Sequence, residues 1–211
     1  MTTMQQRRVL LLGATGLVGG QILPLLLADE PLNVVAFTRR PLPAHPRLEQ
    51  AGWSAVIPGG AVTQIFCALG TTIRKAGSKE EFRRIDHDMP LEMARAGMKS
   101  GATHFLLVSA LGANARSRVF YNRVKGETED DILRLGYRSV TIARPSLLLG
   151  PRGEHRRGEE LAKKIGWLMP PRYRPVEARD VARTLVDAAR ADAPGVRIVE
   201  SREMRALGPS P

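Results

Sequence analysis

Apolar residues fall into two rhythms along the chain. Short runs of aliphatic and β-branched residues, of which Val9-Leu10-Leu11-Leu12 is the plainest, alternate with longer stretches of helical period. This alternation is the signature of an α/β, doubly wound, Rossmann-like fold, a parallel sheet covered on both faces by helices. It predicts strands over residues 7–12, 33–38, 54–57, 64–69, 103–109, 139–143 and 196–200. Helices are predicted over residues 17–28, 78–98, 119–135, 159–165 and 178–191.

Glycine and proline punctuate these elements. Residues 13–19 form a tight glycine loop between the first strand and helix, completing one βαβ unit. Pro24 should kink or shorten the first helix, and Pro90 should bend the next long one. Ser78 is placed to cap that second helix, with Glu80 and Glu81 in its first turn, and Gly136 closes the helix over 119–135. Pro41, Pro43, Pro46 and Pro58 leave room for little beyond the short strand at 54–57. Residues 208–211 read as a frayed tail.

Length and composition point to a single domain. The 211 residues are 43% hydrophobic and 25% charged, enough to bury a core without a disulfide framework. The sole cysteine, Cys67, allows neither an internal disulfide nor a zinc site, which fits a reducing, cytoplasmic setting. Arg7 and Arg8 precede an apolar run that Gly13 ends after four residues. This is too short for a signal peptide or a membrane span, so the run reads as a buried strand.

The formal net charge of +11 makes the surface attractive to polyanions: nucleic acid, an acidic membrane or a phosphorylated ligand. Basic residues concentrate at Arg152, Arg156, Arg157, Lys163, Lys164, Arg172 and Arg174, within a lid or substrate region over about 151–175. The segment suits an anionic small-molecule substrate or an acidic protein partner. Only Trp167 and Tyr173 interleave with these charges, which argues against nucleic acid.

Three constellations carry chemistry. The first is Gly13-Ala14-Thr15-Gly16-Leu17-Val18-Gly19 between a strand and a helix, where glycines let the backbone approach a pyrophosphate and the helix start offers free N–H donors. Its G-x-x-G-x-x-G spacing departs from G-x-G-x-x-G. The second is Arg39 and Arg40 at the end of the second strand, where an acid would bind the ribose 2′-hydroxyl of NAD; guanidinium groups there favour NADP. The third is Tyr121-x-x-x-Lys125, whose spacing sets both side chains on one helix face. An ammonium beside a phenol makes proton exchange at neutral pH easier, and Lys125 would also hold the cofactor ribose. Ser109 stands twelve residues upstream at a strand end. His87 and His104 read as structural or exposed, Asp86 and Asp88 as a solvated helix face, Asn114 and Asn122 as turn or helix-surface residues, and Cys67 as packing.

Taken together, these loops and the runs Cys67-Ala68-Leu69-Gly70-Thr71-Thr72, Leu107-Val108-Ser109-Ala110-Leu111-Gly112-Ala113, Tyr121-x-x-x-Lys125-Gly126-Glu127 and Arg144-Pro145-Ser146-Leu147-Leu148-Leu149-Gly150 resemble the atypical short-chain dehydrogenase/reductases. The likeness spans residues 7–191 and looks strongest to the Tat-interacting oxidoreductase group and its bacterial relatives. It implies NADP(H), with the glycine loop (Gly13, Thr15, Gly16, Leu17, Val18) at the pyrophosphate and Arg39 and Arg40 at the 2′-phosphate. Ala68, Leu69 and Gly70 would border the adenosine, and Pro145, Ser146 and Leu147 the nicotinamide. Tyr121, Lys125 and Ser109 would be catalytic, although Ala110 stands where many relatives carry a second hydroxyl. The implied activity is hydride transfer to or from a carbonyl or alcohol. The alternative is a non-catalytic NADPH-sensing regulator that binds a protein partner.

Overall fold

The computed structural model describes residues 7–30, 32–54, 56–150 and 170–206. Seven strands form one parallel sheet: β1 (Arg8–Leu12), β2 (Asn33–Phe37), β3 (Leu48–Ala51), β4 (Gln64–Cys67), β5 (His104–Val108), β6 (Ser139–Arg144) and β9 (Gly195–Glu200), in the order β3-β2-β1-β4-β5-β6-β9. A separate two-stranded ribbon pairs β7 (Leu148–Leu149) with β8 (Val176–Glu177). The order reverses on either side of β1 and β4, so a crevice opens beyond the carboxyl ends of these strands.

Alternation along the central strands divides the core. Val9 and Leu11 face helices α1 (Gly19–Leu27) and α6 (Ala178–Ala191), packing with Ile22, Leu26, Val181 and Leu185. Leu10 and Leu12 face the other way, toward α4 (Met89–Lys99) and α5 (Phe120–Arg134), packing with Met93 and Ile132. Pro24 lies inside α1, which is nine residues long. Arg47 closes that helix from the far side of β2: its guanidinium reaches the carbonyls of Leu27, Asp29 and Leu32.

One strand differs from expectation. Ser54, Val56 and Ile57 join no strand, and Val56 is 72% exposed; β3 lies earlier, at Leu48–Ala51, where it pairs in parallel with β2. Its Leu-Glu-Gln-Ala sequence lacks a β-rich pattern because it is an edge, where polar residues are tolerated and protective. Glu49 pairs with Arg8, and the Gln50 amide bonds both the N–H and the C=O of Leu42.

The predicted helix over 78–98 is interrupted. After the single-turn α2 (Ile73–Ala76), Ser78 caps α3 (Lys79–Arg83) by accepting the N–H of Glu81, and a π-turn (Arg84–Asp88) separates α3 from α4. Pro90 supplies the reason. It lacks the N–H that an α-helix would donate to the carbonyl four residues back, and Met89 N–H reaches Arg84, five residues back. The expected helix over 159–165, the tail at 208–211 and most of the lid region fall outside the described residues.

Candidate active site

The glycine loop is a cradle with no room for a side chain at Gly13 or Gly19. Gly13 has φ +80°, and a Cβ there would stand 2.5 Å from the carbonyl oxygen of Ala68; on Gly19 it would stand 2.1 Å from that of Gly13. Gly16 N–H donates to Gly13 C=O at 2.8 Å, which tightens the turn. Among the described residues, the N–H groups of Leu17 and Val18 have no hydrogen-bond partner. Free donors at a helix start are the chemistry an anionic phosphate requires. The Ala68-Leu69 backbone forms the adjoining wall.

Arg40 and Arg39 diverge. Arg40 folds over the cradle and donates to the Thr15 carbonyl at 3.2 Å, steadied by the hydrogen bond of its own backbone N–H to Thr38 Oγ1. Arg39 is exposed. It lies close enough to α3 for its charge to help hold the Glu81 carboxyl below the usual range, behind the larger effect of the Arg84 hydrogen bond.

Tyr121 and Lys125 sit one turn apart on α5. The Tyr121 ring packs on Phe82 of α3, with centroids 5.4 Å apart, and Phe120 completes the aromatic group. Lys125 is buried, with its Nζ 2.8 Å from Asp86 Oδ1 and 3.4 Å from the Val108 carbonyl. Burial works to lower its pKa, but Asp86, Tyr121 and Cys67 outweigh it, and the ammonium is held above its ordinary range. Burial pushes the nearby Cys67 thiol up to about 12, so it stays protonated.

Ser109 is buried beneath α5, where its Oγ donates to Glu129. Glu129, only 2% exposed, also receives Nε and Nη2 of Arg144 at the end of β6. A hydroxyl has one proton to donate, and here it is engaged. Pro145 C=O accepts the N–H of Leu111; Ser146 Oγ donates to the Arg174 carbonyl, its N–H donates to Ser201 Oγ, and Leu147 is exposed. Asn114 and Asn122 join through their backbones at 2.9 Å, closing the loop that leads into α5.

Sequence reasoning missed the roles of Asp86, Glu129 and Arg144, and it placed Asp86 with Asp88 on a solvated face. Asp88 is exposed, but Asp86 and His87 are buried. His87 is held between Asp88 at 2.7 Å and Asp131 at 2.9 Å, and His104 between Asp192 and Thr141. The available signal was Pro90, which rotates whatever precedes it. No group of metal-ligating side chains occurs among the described residues.

No protein-family model matches the chain. It is 37% identical over 198 positions to "Protein FMP52, mitochondrial" of Candida albicans, covering 85% of this chain and 86% of that one. Against the protein of the same name from Candida glabrata it is 35% identical over 228 positions, covering 97% of each. Among solved structures, the Bordetella bronchiseptica enzyme WbmH in complex with NAD+ superposes with a TM-score of 0.71 at 16% identity, over 95% of this chain and 78% of that one. UDP-glucuronic acid 4-epimerase from Bacillus cereus in complex with NAD gives 0.67 at 13%, over 93% and 78%. The solved structures share the fold.

Two expectations are corrected. The sequence relatives carry the FMP52 name rather than that of a Tat-interacting group. They also carry a mitochondrial designation, which overturns the cytoplasmic expectation. That expectation rested on a lone cysteine, which reports thiol chemistry and not address. No helix among the described residues is long and apolar enough to cross a membrane.

Proposed function

Because the chain belongs to the family of the FMP52 proteins, we propose that it is a mitochondrial NADP(H)-dependent oxidoreductase of the short-chain dehydrogenase/reductase type, acting on a carbonyl or alcohol. The observation that carries this reading is one juxtaposition: a close-packed glycine cradle with free N–H donors at the start of α1, and a buried, charged Lys125 one turn from Tyr121 on α5. Both follow the carboxyl ends of strands of the same sheet, β1 and β5 with β4 between them, where α/β folds bind nucleotides. Solved structures of the same fold were determined with NAD.

When bound, the nicotinamide would supply or accept the hydride. The chain's own residues do the rest. Gly13, Thr15, Gly16, Leu17 and Val18 receive the pyrophosphate, and Ala68, Leu69 and Gly70 border the adenosine. Arg39 and Arg40 take the 2′-phosphate and so select NADP. Pro145, Ser146 and Leu147 lie beside the nicotinamide, and Lys125 holds the ribose. Tyr121 gives a proton to the carbonyl oxygen in reduction and takes it back in oxidation. Ser109 would polarise that oxygen after releasing Glu129. The substrate is a small molecule, and the basic positions Arg172 and Arg174 suit an anionic one.

The test has two steps. Melting temperature is measured with NADPH, NADH and neither, since a ligand of the native state raises it; NADPH is expected to give the larger rise. Tyr121→Phe should then lower turnover in a carbonyl screen by about 100-fold or more while leaving NADPH affinity within about twofold. A melting point indifferent to both cofactors overturns the reading.

The engagement of Ser109 by Glu129 favours a second reading, an NADPH-sensing regulator with a protein partner. Cofactor binding without turnover of any carbonyl, together with NADPH-dependent capture of a partner, would select it.

A further inference from the structure

We propose that Asp86 is a positioning residue for Lys125, set in place by the π-turn that Pro90 imposes. The inference rests on the reading of Lys125 as the group that holds the cofactor ribose.

The placement begins with a missing donor. In a regular helix the N–H of residue 90 would satisfy the carbonyl of residue 86; proline has none, and Thr128 Oγ1 of α5 stands 2.9 Å from the Asp86 carbonyl and 2.8 Å from that of Val124, its one proton shared between them. That contact ties the turn to α5 one turn beyond Lys125. The π-turn directs the Asp86 side chain inward, where it is completely buried. Its two oxygens do different things. Oδ2 accepts the N–H of Thr71, in the loop that follows Gly70, at 2.9 Å. Oδ1 makes an ion contact with Lys125 Nζ at 2.8 Å and has no aligned hydrogen bond. One carboxylate thus joins the wall of the cradle to the lysine on the far side of it. Gly70 lies beside the pair: a Cβ there would stand at ordinary contact distance, 3.7 Å from Asp86 Oδ1 and 3.9 Å from Lys125 Nζ.

The electrostatics give the carboxylate a task. The groups acting on the ammonium are Asp86 from the π-turn, Cys67 from β4, the Val108 carbonyl from β5 and Tyr121 from its own helix. Cys67 is protonated, so Asp86 is the anion that keeps a wholly desolvated lysine charged. Without it, desolvation dominates and Lys125 releases its proton at lower pH.

Two measurements test this. In a thermal-denaturation cycle of Asp86→Asn, Lys125→Met and the double variant, each single change leaves one buried charge without its opposite and lowers the melting temperature. The double variant should recover at least half of the summed loss, whereas strictly additive losses would overturn the pairing. NADPH affinity is then titrated from pH 6 to pH 9 and expressed relative to the unmodified protein at each pH, which cancels the ionisation of the nucleotide. Asp86→Asn should weaken progressively, by about tenfold or more between the extremes, while Lys125→Met is weak at every pH. A flat ratio in Asp86→Asn overturns the positioning role, since a purely structural residue would not introduce a pH dependence. If the unmodified protein binds neither NADPH nor NADH, the cofactor reading fails, and with it the role given to Lys125, while the stability cycle still decides whether the two charges are partners.

Discussion

At the β1–α1 crossover the backbone itself forms the surface, with Gly13, Gly16 and Gly19 keeping side chains out of a space bounded by the Ala68-Leu69 chain. Across the crevice, at α5, the surface is made of side chains whose partners come from far along the sequence: Asp86 lies 39 residues from Lys125, and Glu129 joins Ser109 to Arg144. The first region is specified by absence of bulk over seven residues. The second is specified by charges matched across three elements, so a single change there leaves a buried group uncompensated.

The contrast can be broken from either side. Gly19→Ala should have the largest effect. Its Cβ would stand 2.1 Å from backbone, a clash no rotamer relieves, and a loss of about 3 kcal/mol in urea denaturation is expected, with dinucleotide binding abolished. Glu129→Gln comes next, at about 2 kcal/mol; this is below the usual cost of breaking a buried pair because Arg144 is a quarter exposed. Arg40→Ala should weaken NADPH by about tenfold and leave NADH unchanged, read by fluorescence titration.

The smallest effect sharpens the comparison by lying outside both regions. Burial lowers the pKa of His104, against the pull of Asp192. The unfolded chain therefore takes up a proton before the folded one as pH falls below about 6.5. Stability should decline on acidification through that window, and His104→Gln should flatten the decline.

How much of this was legible follows the same division. The glycine loop, the alternation of strands and helices, and α6 at Ala178–Ala191 could be read because local residues suffice to specify them. The edge strand β3 could not, since Glu49 and Gln50 owe their place to Arg8 and Leu42 rather than to a β-rich run. Asp86 was misassigned for a geometric reason. A helical wheel assumes 3.6 residues per turn, and the wider turn before Pro90 rotates every position that precedes it. Glu129 and Arg144 carry no local signal of pairing; only the packing of α5 over β5 and β6 brings them together. The compartment was beyond the reach of these arguments, because a fold does not encode an address.

The sheet ends at β9, where Val196 and Ile198 remain 58% and 41% exposed, and no strand among the described residues lies beyond them. A parallel sheet with such a margin offers unpaired peptide groups beside a greasy stripe, the combination that recruits stray extended polypeptide. Arg197, alternating between the two, is a modest deterrent. Concentrated preparations would therefore be expected to lose material through this margin first, and lysine at position 196 or 198 is the simplest remedy for a crystallographer or spectroscopist.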